Sequence, residues 1–293
     1  MGRAGGEDHL TVPSATLLGQ SVLSGVFIGA LYGLLGLGLS LSWGMLRQVN
    51  LAHFALAFLA GYLTFQFSGR LDPFVTLAVV APLFFALGMA LHWFLGRFSV
   101  TLLNTLLVTF GLTSIIEAGI QWYWTADFHR MESAYAAVRW KVGPLFVSLP
   151  DLLTLGFALT LSLGMWGVLR FTDLGKAMRA TTEDAPIAAA FGVNEKLLGY
   201  LISGLAAAVA AVAGLCLALN HTLAPVQIYA WMGVVFAAVM MGGVGSPVGP
   251  LLAGIVIGVS EALTMAVSNP TWAPLVSFSL LIAILLFRPA RLS

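Results

Sequence analysis

The chain has 293 residues, 59% hydrophobic and only 9% charged, with mean hydropathy +0.97 and a formal net charge of +1. Soluble domains carry about 25% charged residues, so this sequence cannot cover a water-facing surface, and its near-neutral balance gives no reason to expect a nucleic-acid partner. One cysteine, Cys216, excludes an internal disulfide.

The opening stretch MGRAGGEDHL has acidic residues where a signal peptide has a basic region, and Gly6 where an acylation signal has Ser or Thr. Charge-free runs follow at Leu10–Leu46 (37 residues), Gln48–Gly69 (22), Pro73–Gly96 (24), Phe98–Ile116 (19), Leu152–Leu169 (18), Leu197–Ser260 (64) and Ala262–Phe287 (26). A spanning helix needs roughly 20 apolar residues. None of the runs alternates as the segments of a membrane β-barrel do. The expected fold is an all-α polytopic membrane protein. Its spans are placed near 17–46, 50–68, 74–95, 100–124, 152–169, 197–219, 229–243, 250–267 and 271–287, with a helix end at Arg47-Gln48. That makes nine, or eight if the short seventh is re-entrant.

Two loops are long and charged, 127–151 and 170–196. With the N-terminus outside, Arg47, Arg97, Arg170, Lys176, Arg179, Lys196, Arg288 and Arg291 are cytoplasmic, against Arg3, Arg70, Arg130, Arg139 and Lys141 outside. Positive charge favours the cytoplasmic side, so the expectation is N-out and C-in, with 127–151 extracytoplasmic and 173–196 cytoplasmic. Small residues four apart (Gly25, Gly29, Gly33; Gly254, Gly258, Ala262; Gly204, Ala208) mark faces for close helix packing.

Several polar groups stand inside apolar sequence. Asn50 and His53 share a helix face. Asn50 either caps the second span while His53 bonds a neighbouring helix, or both line a path for a zwitterionic or anionic solute. Glu261 interrupts an apolar run and needs a partner, a proton or a polar end. Glu117 lies one turn before Gln121, near the interfacial aromatics Trp122, Tyr123 and Trp124. The segment GGVGSP, beginning at Gly242 and Gly243, breaks a span and is either a surface turn or backbone lining a cavity.

The stretch DLGKAMRATTEDAPIAAAFGVNEK, 173–196, reads as two short helices. Asp184 is placed to cap the second, Pro186 fits its first turn, Ala188 to Phe191 give a small apolar face, and Gly192 is a natural stop. Such a piece suits docking.

Gly175, Lys176, Ala177, Arg179, Ala180, Glu183, Asp184, Ala188, Gly192, Val193 and Asn194 fall in a pattern that resembles the coupling loop of branched-chain amino acid ABC-importer permeases of the LivH type. The blocks GALYGLLGLGLSLSWGMLRQVNLAHF, MMGGVGSPVGPLLAGIVIGVSEAL and LLFRPARL resemble that family's first-helix, penultimate and closing segments, in order, over residues 29–291. The chain departs from the pattern at Phe54, at Ala290-Arg291 and at Glu117, which bears on the solute and not on the transporter class. The resemblance implies a single permease domain in the bacterial inner membrane. Gly175, Lys176, Arg179, Glu183, Asp184, Ala188, Ala189 and Gly192 would then meet an ATPase, and Asn50, His53, Glu261, Gly242 and Gly243 are translocation-path candidates. Implied partners are ABC ATPase subunits, a second LivM-like permease, an extracytoplasmic solute-binding protein and membrane lipid.

No G-x-x-x-x-G-K-[ST] phosphate loop occurs, so ATP and Mg belong to the partner ATPase and this chain is expected to bind no cofactor or metal. Branched-chain amino acids are the implied solute, with urea, short amides and aromatic acids as alternatives. Two readings of other classes compete. An ion-coupled secondary transporter would use Glu261 and Glu117 as carriers, but such proteins usually show inverted repeats. An intramembrane enzyme with His53 and Glu261 as acid and base would need a nucleophile or metal that the sequence does not supply.

Overall fold

The structure is a computed structural model describing residues 14–68, 70–98, 101–268 and 270–287. The opening decapeptide and the closing RPARL segment, with Arg288 and Arg291, lie outside the described residues. Among the described residues nine apolar helices dominate: α1 (Ala15–Leu46), α2 (Ala52–Phe67), α3 (Pro73–Phe98), α4 (Leu102–Trp124), α6 (Leu149–Phe171), α9 (Glu195–Asn220), α10 (Gln227–Gly242), α11 (Gly249–Val267) and α12 (Ala273–Phe287). Six of them, α1, α3, α4, α6, α9 and α11, are long and apolar enough to cross a membrane, and α2, α10 and α12 contribute shorter apolar segments.

Local chemistry sets the boundaries. Hydroxyl or amide side chains cap α1 (Ser14), α4 (Thr101), α6 (Ser148) and α9 (Asn194), each accepting from a backbone N–H three residues on. Pro82 sits inside α3, which neighbouring helices make tolerable in a membrane.

Helices α1 and α9 form the core and, beyond their exposed N-terminal turns, carry apolar residues on every side, as an enclosed helix does. The two glycine faces expected from the sequence meet each other: Gly25, Gly29 and Gly33 of α1 lie directly on the backbone of α11 at Gly258, Gly254 and Leu251. A Cβ on Gly29 would collide with the Gly254 carbonyl, so only glycine allows this contact. The outer helices turn large apolar side chains outward, among them Leu103, Leu107, Ile115 and Trp122 of α4, which suits hydrocarbon.

The loop 127–151 is more ordered than its composition suggests. It holds α5 (Ala134–Ala137) and an antiparallel hairpin of β1 (Arg139–Val142) and β2 (Leu145–Ser148), turned by Gly143 at φ 61 and Pro144. Gln20 of α1 clamps the hairpin, donating to the Phe146 carbonyl at 3.0 Å and accepting from the Phe146 N–H at 2.9 Å. His129 and Leu223 exchange backbone hydrogen bonds across to the α9–α10 connection. At the opposite end lie α7 (Asp173–Glu183) and α8 (Ala185–Ala190).

Candidate functional site: the α7–α8 loop and the intramembrane polar groups

The first turn of α7 is locked to the end of α6. Thr172 caps α7 by accepting from Gly175 N at 3.1 Å. Gly175 presses against the carbonyls of Val168 and Leu169, where a Cβ would clash with both. Arg179 donates to the Leu169 carbonyl, satisfying one of the acceptors that the end of α6 leaves open. Arg47, just past α1, donates to the Thr182 carbonyl at 2.9 Å. Lys176 pairs with Asp173 at 2.9 Å on the exposed face, and that bond and charge hold the Asp173 carboxyl below its usual range.

Helix α8 has the caps its sequence promises. Asp184 Oδ1 accepts from Ile187 N at 3.0 Å. At the other end Gly192 N donates to Ala189 O at 2.9 Å and Val193 N to Ala188 O at 3.1 Å, with Gly192 at φ 89. This pair of bonds is the Schellman arrangement, which needs a left-handed residue at the stop. Ala188 is buried, while Ile187, Ala189, Ala190 and Phe191 are exposed, Phe191 by 86%. The result is a rigid, small-sided apolar knob. Behind it a cavity of about 490 Å³ is lined by Arg47, His92, Glu183, Asp184 and Glu195 among others.

Asn50 and His53 do not act together. The His53 ring is buried between α1 and α9, its Nε2 lying 3.0 Å from the Leu35 carbonyl and Gly38 leaving the space for it. Asn50 does not cap α2. The cap position is Leu51, and its N–H is taken at 3.2 Å by Thr109 Oγ1 from α4. A neighbouring helix thus satisfies the Leu51 N–H, while the backbone carbonyl of Asn50, not its side chain, accepts from His53 N at 3.3 Å. The Asn50 Oδ1 atom is buried without a hydrogen-bond partner. Sequence reading missed Thr109. Its only signal is the four-residue spacing of Thr101, Thr105, Thr109 and Thr113 along one face of α4.

Glu261 is buried, with Oε2 accepting from Tyr32 Oη at 2.8 Å and Oε1 from Ser277 Oγ, so it joins α1, α11 and α12. The GGVGSP turn is held against α1. Gly245 N donates to Ser40 Oγ at 3.0 Å, Ser40 Oγ donates to Ser246 O at 3.1 Å, and Ser246 Oγ accepts from Gly249 N at 2.9 Å. Gly243 at φ 94 makes the turn and Gly242 abuts Gly249. No group of three or more His, Cys, Asp or Glu able to hold a metal exists among the described residues.

Residues 21–285 match the profile of a family described as the permease component of a branched-chain amino acid transport system. The chain is 27% identical over 287 residues to the high-affinity branched-chain amino acid transport system permease protein LivH of Salmonella typhimurium, covering 92% of this chain and 93% of the relative. It is 26% identical over 294 residues to LivH of Escherichia coli K12, at 92% and 93% coverage. It is 26% identical over 294 residues to the permease protein BraD of Pseudomonas aeruginosa, at 92% and 94% coverage. No solved structure matches. With a polytopic helical bundle and a profile match over most of its length, this chain belongs to the branched-chain amino acid transport permease family.

Proposed function

We propose that this chain is the membrane subunit of an ATP-driven importer for branched-chain amino acids or a closely related small solute delivered by an extracytoplasmic binding protein. Helix α8 is the docking knob for a cytoplasmic ABC ATPase, and a second related permease completes the path. The chain sits in the bacterial inner membrane with 173–196 cytoplasmic, 127–151 outside, and the N-terminus out.

The observation that carries this reading is the mechanical anchoring of α8. It is capped at both ends and joined through α7 to α6 by Gly175 and Arg179, to α1 by Arg47, and to α9 by the Asn194 cap. A displacement of α8 by ATPase closure therefore reaches α1 and α9, the two helices on which the bundle packs. The ATPase holds ATP and Mg. This chain's part is to convert that motion into a change of helix packing, since interlocked helices shift as rigid bodies. His53, Glu261 and the Gly242–Gly243 turn hold helices together in this reading, and Asn50, with its unpartnered oxygen, is the group of that set free to face the solute.

The test is uptake by proteoliposomes holding this chain, its second permease, the ATPases and the binding protein. Leucine uptake that requires internal ATP and persists with ionophores is expected. Uptake driven by a proton or sodium gradient without ATPase would establish the secondary-transporter reading instead.

A further inference from the structure

Glu117 is the one charged residue in α4, and α2 and α10 carry none. It lies one turn from the buried Thr113 and Ile120 on α4 and is itself part-exposed, as is its partner Tyr229. Its Oε2 accepts from Tyr229 Oη of α10 at 2.7 Å and its Oε1 from Gln121 Nε2 at 3.1 Å. Ser114 Oγ lies 3.5 Å from the same Tyr229 hydroxyl, and the Phe110 ring 6.3 Å from the Tyr229 ring. Helices α4 and α10 both pack on α2 but scarcely on each other, so this cluster is where they meet.

The contrast with Glu261 decides its role. Glu261 is 6% exposed, closed in by two hydroxyl donors from two other helices. Glu117 is only half-buried, and among the described residues no cation lies within ion-pair distance of it. Each carboxylate oxygen carries two lone pairs, so one on each remains open. A part-exposed carboxylate in a spanning helix, oriented by neutral donors and lacking a cation among the described residues, is suited to receive one. The adjoining Tyr229 and Phe110 rings add faces that attract an ammonium group.

We propose that Glu117, oriented by Tyr229 and Gln121, receives the protonated amine of the transported solute at the hairpin end of the path. This rests on the reading of the chain as an importer permease and narrows its solute class. Solutes bearing an ammonium group are accepted. Urea and short amides lack the cation, and aromatic acids would set carboxylate against carboxylate.

The full importer in proteoliposomes, with ATP inside, is offered L-leucine, 4-methylpentanoate, acetamide, urea and benzoate. The expected result is ATP-dependent uptake of leucine alone. Glu117→Gln, which keeps the shape and the acceptor for Tyr229 but not the charge, lowers leucine uptake about tenfold, the worth of one charge-assisted hydrogen bond. It leaves insertion and ATPase co-purification unchanged, and Glu117→Asp retains more uptake than Glu117→Gln. Wild-type uptake of an amine-free solute at a rate matching leucine would overturn the proposal. So would undiminished leucine uptake in Glu117→Gln, an Asp variant no better than the Gln variant, or loss of ATPase association in Glu117→Gln, which would make the carboxylate structural. These results leave the importer reading standing. Absence of ATP-dependent uptake of every solute by the wild-type importer removes both.

Discussion

Two glutamates in apolar helices have opposite surroundings, and the difference lies in their partners. Both were visible in the sequence as anomalies, Glu261 in GVSEAL and Glu117 in SIIEAGIQW. Their environments were not visible, because the groups that answer Glu261 come from positions 229 and 16 residues away. Asn50 makes the same point from the other side. Local rules nominate it as a helix cap, but Leu51 takes the cap position and Thr109 from α4 accepts its N–H, which no spacing within residues 46–54 could reveal. For Glu261, removing the carboxylate strands the Tyr32 and Ser277 hydroxyls in a buried place, at about 1–3 kcal/mol for each group left unsatisfied. Glu261→Ala is therefore expected to lower the apparent unfolding temperature of the detergent-solubilised protein. Glu261→Gln, whose amide oxygen still accepts from Tyr32, is expected to lower it less. Wild-type unfolding of Glu261→Ala would show that the hydroxyls are content without it.

At the scale of elements, the apolar helices were legible because a segment enclosed by lipid or by other helices has to be apolar throughout. The expected span 152–169 extends to Leu149–Phe171 because Ser148 caps its start, a cue that hydropathy alone ignores. The two helices of 173–196 were legible from Asp184 and Gly192, whose capping roles are local. The β-hairpin was not expected, since strands of four residues in a charged loop carry little periodicity and Gly143-Pro144 was the one strong cue. The same loop is tied to the start of α3 by Tyr135, whose hydroxyl donates to Asp72 Oδ2 at 2.6 Å while Asp72 Oδ1 accepts from Phe74 N at 2.8 Å. The bond from Tyr135 holds the Asp72 carboxyl below its ordinary range and, in return, raises the Tyr135 phenol. The tie is thus fully present above the ordinary carboxylate range and is lost as pH falls through the lowered value of the folded protein. Tyr135→Phe should make the 127–151 loop more sensitive to limited proteolysis at neutral pH, and acidifying the wild type should approach the same pattern. Equal cleavage of variant and wild type at neutral pH would remove the tie from the account.

For the whole molecule, two ends of one bundle carry different structures, a clamped hairpin at one and the α7–α8 knob at the other. In the proposed topology the knob faces the cytoplasm, the side that Lys/Arg bias favours. Cysteine substitution reads this directly, because the native Cys216 is buried. An impermeant thiol reagent on intact cells should label Lys141→Cys and spare Lys196→Cys, and the reverse pattern would invert the orientation. The central claim is that α8 transmits force from an ATPase, and Ala189 is its most direct probe. Ala189 is exposed at the middle of the knob, its bulk matters only if another surface packs there, and overpacking such a contact costs roughly 1–3 kcal/mol. In Ala189→Trp the chain should insert and fold normally while ATPase co-purification falls and ATP-dependent uptake is lost, with Ala134→Trp in the opposite loop leaving both intact. Normal ATPase association and uptake in Ala189→Trp would contradict the account.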